Sequence, residues 1–453
     1  MTSLFPSEDV LHWLEVRRAK TTLAVKAVPL DGCGHWRWDG VSLRHEGGHF
    51  FSVIGMRTAL ANVPESIAAQ PMIDQPEIGV LGFLVRRAGD RVEWLLQAKA
   101  EPGNVLGVQV GPSVQATLSN YQRAHRGRPT PLIECFVGNR SVSVKCLSDT
   151  LQSEQGDSFL GKFNRNIVLA VPRHYPPVDV PALRWFSASA VRQALVQDYV
   201  INTDARSVFV CSPWDWLADD GDGAFARWKG RGGLGEVLLQ SVRASDGRVS
   251  LRDLPRILGD ARRRYRFRRH ACPLSSLPGW RCSSMGLFPN DDNVNLPSVQ
   301  TFDVQAPERE VPRWSQPLFV GGRSSMVTLL CAHWKGLFHV MLRLAPEPGF
   351  KDDVQLGPSD IDAPFHHRLP WVRELVRDPT APCLVSANQS DEGGRFMRSL
   401  TRYQVLDVEA SQVPRHDPDT VWLTLAQVQT LAQRSGVLTN EARSVLSLLL
   451  AWS

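Results

Sequence analysis

The sequence predicts an α+β protein made of two tandem copies of one domain, each with mixed sheets and flanking helices. Three observations predict it. Blocks of sequence recur once, in the same order, a whole domain apart. Within each copy, apolar runs bounded by turn residues come first. Helix-forming stretches come last, an order that favours α+β over a doubly wound parallel sheet.

The recurrence is specific. EPGNVLGVQVGPS at Glu101 to Ser113 returns as EPGFKDDVQLGPS at Glu347 to Ser359, identical at eight of thirteen positions, at an offset of 246. SEQGDSFLGKFNRN at Ser153 to Asn166 returns as SDEGGRFMRSLTRY at Ser390 to Tyr403, and NTDARSV at Asn202 to Val208 as TNEARSV at Thr439 to Val445, both at an offset of 237. The copies fall near 45–212 and 281–453. This divides the chain into an N-terminal domain 1–212, a connector 213–280 and a C-terminal domain 281–453.

The elements follow in order. Residues 7–20 form an amphipathic leading helix, with Ser7 as N-cap and Val10, Leu11 and Leu14 on one face. Strands are expected at 50–56, 78–85, 92–98, 132–136 and 166–171, then a helix from Phe186 to Val196. Strands of the second copy are expected at 325–331, 337–344 and 403–408. Thr424 and Gln427 resemble a capping box, Val428 and Leu431 make an apolar stripe, and Gly436 fits a C′ position. The connector is rich in Gly and charge, with some helix of its own, and ends in DARRRYRFRRH (260–270).

Composition narrows the function classes. The chain has 453 residues, 43% hydrophobic and 21% charged, values ordinary for a soluble globular protein, with a net charge of +5 that does not demand nucleic acid. It shows no secretory signal and no run long enough to span a membrane. Its eight cysteines are scattered without a CxxC pair. They are expected as reduced thiols of a cytoplasmic protein, with neither a disulfide framework nor a zinc site.

Several motifs carry little. His45-Glu46-Gly47-Gly48-His49 matches HExxH, but adjacent glycines oppose the helix that pattern needs, so a turn leading into a strand is the better reading. Gly230 to Gly235 matches GxGxxG without a preceding strand, which reads as a linker. Six Arg between Arg262 and Arg269 could contact nucleic acid, yet such runs more often pair with acidic groups elsewhere. There is no Walker A motif and no GxSxG elbow.

The chemistry concentrates in the first copy. SNYQRAHRGR (Ser119 to Arg128) and the stretch from Ser153 to Asn166 gather Arg, Lys, Asn and Gln. Arg offers paired donors to phosphate and amides read hydroxyls, so a diphosphate and a sugar suit this set. His, Tyr, Lys and carboxylates are candidates for proton transfer.

QPEIGVLGFLVRR, LLQAKAEPGNV, VQVGPSVQAT, SNYQRAHRGR, LQSEQGDSFLGKFNRNIVL and WFSASAVRQALVQDYVINTDARSVF together resemble the NDP-hexose 2,3-dehydratases of deoxysugar biosynthesis. The resemblance covers most of the first copy and, more loosely, the second. It implies the substrate dTDP-4-keto-6-deoxy-D-glucose, two tandem domains resembling the Nudix hydrolase fold, and a homodimer. It implies a dehydration without metal or redox cofactor, feeding an NADPH-dependent 3-ketoreductase on a route to natural products such as antibiotics. Nucleic acid and membrane are not expected partners. A nucleotide-sugar-binding protein without catalysis is the alternative.

Comparison of the copies assigns roles. Tyr121 lines up with His367, Gln155 with Glu392, Lys99 with Ala345 and Lys162 with Ser399. The frame survives while the polar set changes, so catalysis is expected in the first copy and a scaffold or altered pocket in the second. Tyr121, His125, Lys99 and Lys162 are the catalytic candidates. His125 or Tyr121 would serve as base or acid, and a Lys would stabilise the enolate. Glu154 is an alternative base, weakened because Asp391 keeps its charge in the second copy. Arg123, Arg126 and Arg165 are assigned to diphosphate, Gln109 and Asn166 to sugar or nucleotide, and Gln155 to the substrate.

Overall fold

The computed structural model describes residues 9–138, 144–175, 178–229, 234–291, 296–322, 326–363 and 368–452. It is a mixed α+β structure. In chain order, α1 (Val10–Lys20) precedes β1 (Ala24–Val28), β2 (Ser52–Leu60), β3 (Val63–Asp74), β4 (Gly79–Ala88), β5 (Arg91–Ala100), β6 (Lys145–Ser153) and β7 (Phe163–Ala170). Helices α2 (Ala188–Leu195) and α3 (Thr203–Cys211) close the first half. The second half holds α4 (Leu254–Arg264), β8 (Phe267–Cys272), β9 (Ser298–Gln305), β10 (Arg313–Val320), β11 (Met326–Trp334), β12 (Leu337–Pro346), β13 (Cys383–Ser390) and β14 (Leu400–Asp407). It ends with α5 (Leu425–Ala432) and α6 (Asn440–Leu450).

Among the described residues the strands form four sheets. One runs β6–β7–β4–β5 and then Leu183–Ser187, with Val108–Gly111 added to β5 and Val114–Ala116 to β4. Another runs β13–β14–β11–β12, with Val354–Gly357 and Thr420–Thr424 on β12 and Asp360–Ile361 on β11. The two share strand order and sense: β7 pairs parallel with β4, and β14 with β11. Seven consecutive buried residues open β4, as expected of a strand covered on both faces.

The smaller sheets exchange strands. β1, near the start of the chain, pairs with β9 of the second half, Ala24 opposite Gln305. β8, just before the second half's other strands, pairs with β2 of the first, Phe267 opposite Leu60. One apolar cluster also spans both halves, from Phe83, Trp94 and Phe209 to Val327, Leu342 and Val445.

Helices α3 and α6 meet at the centre. Their N-caps are the repeated Asn202 and Thr439, whose side chains accept from Ala205 N at 2.8 Å and Ala442 N at 3.1 Å. The repeated arginines cross over: Arg206 Nη1 donates to Ser447 Oγ at 2.9 Å, and Arg443 Nε to Ser207 Oγ at 2.7 Å. Both are fully buried, and such hydrogen bonds are what make a buried guanidinium tolerable.

Some expectations change. The run 132–136 is not a strand but the 3-10 turn Ile133–Cys135. Leu132 enters it with φ 63°, a left-handed backbone that a strand does not use, and Phe136 packs onto Gly82. A buried turn and a buried strand present the same apolar run. The leading helix starts at Val10, capped by Asp9, with Val10, Trp13 and Leu14 as its buried face, while Ser7 lies outside the described residues. The Thr424–Gln427 capping box forms, but the C-cap of that helix is Gln433, so Gly436 is not its C′ residue.

The other motifs fall into place. His45 ends the strand Ser42–His45 and a turn follows, as expected. Gly230 to Gly233 lie outside the described residues. The Arg run pairs with distant acids: Arg262 with Asp352 at 3.3 Å, Arg264 with Asp419 at 2.9 Å, and Arg269 with Asp353. No described helix is long and apolar enough to cross a membrane.

Candidate active site

The repeated motifs meet across the two halves. Gly103 of the first EPG donates its backbone N–H to Gly393 O at 2.8 Å, and Gly349 of the second donates to Gly156 O at 2.6 Å. A Cβ on Gly103 would stand 1.7 Å from Phe396 O, and one on Gly349 1.9 Å from Phe159 O, so only glycine fits either position. The repeated glutamines follow the same rule. Gln109 Nε2 donates to Ser390 Oγ at 2.8 Å, and Gln355 Oε1 accepts from Ser153 Oγ at 2.7 Å. The repeated serines Ser113 and Ser359 each clip two neighbouring strands, accepting from Leu84 N and Leu330 N.

Among the described residues this frame holds a pair of clefts that are each walled by both halves. The first has a volume of about 620 Å³. From the first half it takes Lys99, Glu101, Gln115, Asn164 and Asp204, and from the second Arg309, Glu310, Glu392 and Arg395. Aromatic walls come from Trp36 and Phe51 on one side and Trp314 on the other. The volume is that of an ordinary small-ligand site.

Of the residues singled out in the sequence, Lys99, His125 and Arg126 line this cleft. Lys99 is buried on β5, its Nζ donating to Gln115 O at 2.7 Å. His125 and Arg126 sit in the turn after the short helix Leu118–Tyr121. Gly127 N donates to His125 Nδ1 at 2.8 Å, so a neutral ring carries its proton on Nε2.

Glu154 and Lys162 are buried and do not line the cleft. Glu154 reaches it through Asn164, whose Nδ2 donates to Glu154 Oε1 at 2.7 Å, and Lys162 Nζ donates to Glu77 O. Gln109, Gln155 and Asn166 are also buried away from the cleft. Gln155 Nε2 donates to Asp391 Oδ1 at 3.1 Å and Asn166 Nδ2 to Ser207 Oγ at 2.6 Å. Tyr121 packs on the apolar cluster around Phe136. Arg123 Nε donates to Gly127 O at 2.9 Å. Arg165 is gripped by Asp149, Nε to Oδ1 at 2.7 Å. His367, the counterpart of Tyr121, lies outside the described residues.

Burial sets the charge states. It pushes the carboxyls of Glu101, Glu154 and Asp204 upward, and Glu392 adds to each rise. It pushes the ammonium of Lys99 downward, helped by Arg309, and that of Lys162 down to about 8. At Glu310 burial acts upward, but Arg309 and Lys99 outweigh it and hold the carboxyl at about 2. Glu101 Oε1 accepts from Gln115 Nε2 at 3.1 Å, while its buried Oε2 has no hydrogen-bond partner among the described residues. The cleft thus offers carboxyls biased toward their protonated form at Glu101 and Asp204, a carboxylate at Glu310, an amine biased toward neutrality at Lys99, and guanidiniums. Among the described residues no group of three or more His, Cys, Asp or Glu is arranged to hold a metal ion.

A family model described as NDP-hexose 2,3-dehydratase matches residues 7–212 and 251–449. This chain belongs to that family. Three curated relatives carry the name dTDP-4-dehydro-6-deoxy-alpha-D-glucopyranose 2,3-dehydratase. One from Saccharopolyspora spinosa is 30% identical over 98% of this chain and 91% of its own length. One from Amycolatopsis orientalis is 29% identical, covering 97% and 89%, and one from Streptomyces violaceoruber is 32% identical, covering 96% and 95%.

In this NDP-hexose 2,3-dehydratase family member, sequence reasoning passed over Asp204, Arg309, Glu310 and Arg395 as site residues. Asp204 carried a signal, an acid repeated as Glu441 inside a helix start that turned out to be buried. Arg309 and Glu310 lie in a segment without an echo in the first copy. Arg395 and Glu392 belong to the second copy's loop but face the first cleft, which only the crossing of the halves reveals.

Proposed function

We propose that this chain is a sugar-nucleotide 2,3-dehydratase. It removes the C2 hydroxyl of dTDP-4-keto-6-deoxy-D-glucose as water after loss of the C3 proton, giving a 3,4-diketo-2,6-dideoxy sugar nucleotide. The observation that carries this is the near full-length similarity to three dehydratases named for that substrate.

The C4 ketone acidifies the C3 proton. A base takes it, and the electron pair becomes an enolate with charge on the C4 oxygen. The C2–O bond then breaks as an acid protonates the departing hydroxyl, and the enol left behind tautomerises to the C3 ketone. Atoms balance with loss of one water and no hydride transfer.

Lys99, shifted toward its neutral form, is the proposed base, and Glu101, shifted toward its protonated form, the proposed acid. His125 offers its Nε2–H to the developing oxyanion, a contact worth on the order of 3 kcal/mol. Arg126, Arg309 and Arg395 take the diphosphate, and Trp314 gives the base a flat wall. Lys162 and Glu154 set the field behind Asn164. Tyr121, Arg123 and Arg165 brace the turn and sheet edge beside them, Gln109 and Gln155 hold the halves in register, and Asn166 ties β7 to α3.

Two duplicated domains of the Nudix type fit the shared strand order of the large sheets and the two segments matched by the family model. Because α4 and β8 repeat the succession of α1 and β1, the second unit is proposed to begin near Leu254, within the stretch first read as a connector. A cytoplasmic homodimer, handing its diketone to an NADPH-dependent 3-ketoreductase, completes the proposal on the strength of the family resemblance.

Incubation with the 4-keto substrate, a 3-ketoreductase and NADPH tests it. The expected result is a 2-deoxy sugar nucleotide. Binding of the substrate without NADPH consumption or 2-deoxy product would establish the non-catalytic binding protein instead.

A further inference from the structure

Three side chains at the first cleft fix one another's orientation, starting from the N-cap of α3. Ala205 N can only donate, so the Asn202 amide turns its Oδ1 to it at 2.8 Å and leaves Nδ2 as a donor. Asn202 Nδ2 donates to Gln115 Oε1 at 3.0 Å, which leaves Gln115 Nε2 to donate to Glu101 Oε1 at 3.1 Å. Oε1 of Glu101 is therefore an acceptor. A proton on this carboxyl belongs on Oε2, which is buried and has no hydrogen-bond partner among the described residues. Glu101 and Gln115 both line the cleft.

The second copy keeps the frame of this arrangement without its amides. Ile361 stands at the position of Gln115 and Thr439 at that of Asn202, and there the strand and the helix cap both still form. Gln115 also touches the proposed base, but through its main chain, since Lys99 Nζ donates to Gln115 O at 2.7 Å. A side-chain change at Gln115 therefore reaches Glu101 and spares the anchor of Lys99.

We propose, on the dehydratase reading of this cleft, that Gln115 is the positioning residue of Glu101, keeping its proton on Oε2 for the departing C2 hydroxyl. As the C2–O bond breaks, its electron pair stays on the oxygen, the Oε2 proton joins that oxygen, and water leaves. Glu101 remains as a carboxylate with the Gln115 N–H already on Oε1. That hydrogen bond strengthens as the charge develops, so its loss falls on kcat more than on KM. Burial, with Glu392 and Asp204 beside it, outweighs Lys99, Arg309 and Arg395 and pushes the carboxyl up, so the proton is there to give.

Gln115→Ile, the residue of the second copy, is tested in the full-length protein with the 4-keto substrate. Elimination is read through a 3-ketoreductase and NADPH, and exchange of the C3 hydrogen by NMR in D₂O. Elimination kcat should fall about 10- to 100-fold, the range for a hydrogen bond to a charged group, with KM little changed and exchange retained. Losing a donor to the carboxylate raises the pKa of Glu101, so the high-pH limb of elimination should move up by about one pH unit. Asn202→Thr, which keeps a cap but removes the amide donor, should act in the same direction more weakly, and it carries the test should Gln115→Ile not fold. An unchanged kcat, a limb that does not move, or exchange and elimination falling in parallel would overturn the role of Gln115 and leave the dehydratase reading standing. A parent protein that neither exchanges nor eliminates would overturn both.

Discussion

Asn440, at the first turn of α6, donates its side-chain N–H to Glu154 Oε2 at 3.0 Å, 286 residues back along the chain. Glu154 in turn holds Asn164, which lines the first cleft. One hydrogen-bond path therefore ties a helix of the second half to the working surface of the first.

Glu101 is expected to protonate the leaving hydroxyl, a step after C3 deprotonation. Glu101→Gln should lower kcat by about 10²- to 10⁴-fold, the usual worth of a general acid. In D₂O it should still exchange the C3 hydrogen of the substrate, read by NMR. Loss of exchange together with elimination would place Glu101 at the first step or in binding instead.

The second half supplies cations to the first cleft. Arg309→Ala should weaken dTDP binding by about 10- to 100-fold, the range for a lost charged hydrogen bond. Arg165→Ala, whose guanidinium is held by Asp149, should leave it unchanged. Titration calorimetry of both variants decides whether the cleft or the sheet edge receives the diphosphate.

Lys162 should mark the pH dependence of stability. Folded, it releases its proton at about 8; unfolded, at its ordinary 10.5. Between those values the unfolded chain binds more protons, so this group adds stability as pH rises from 8 to 10.5. Denaturant unfolding should show the parent gaining about 1–3 kcal/mol on Lys162→Met across that window, and a constant gap would show that Lys162 keeps an ordinary pKa.

Neither half should fold alone. β1 and β8 each complete a sheet of the other half, and the main apolar cluster is shared. Residues 1–229 expressed by themselves should lack cooperative unfolding by circular dichroism, and co-expression with 234–453 should restore it. A cooperatively folded 1–229 would show that the exchanged strand is dispensable.

The repeats were legible because glycine geometry and strand clips leave few substitutes. The EPG and GPS blocks survive in both copies since Gly103 and Gly349 admit no Cβ and Ser113 and Ser359 each bridge two strands. Of the residues assigned to substrate from the sequence, Gln109 joins the halves and Arg165 pairs with Asp149. Lys99, which differs between the copies, lines the first cleft, where its counterpart Ala345 has no amine to offer.

By itself the sequence determined the α+β class, the recurring strands of β4, β5 and β7, the capping box of α5, and the dense polar turn that carries His125 and Arg126. These depend on neighbours close in the chain: alternation, turn residues and capping side chains. Tertiary structure alone decided that β1 and β8 change places and that Arg309, Glu310 and Arg395 complete a cleft begun by Lys99, Glu101 and Asp204. The reason is physical. Strand pairing and shared burial act between surfaces, and a contact such as that of Arg309 with Ala100, 209 positions apart, leaves no periodicity along the chain for a sequence to display.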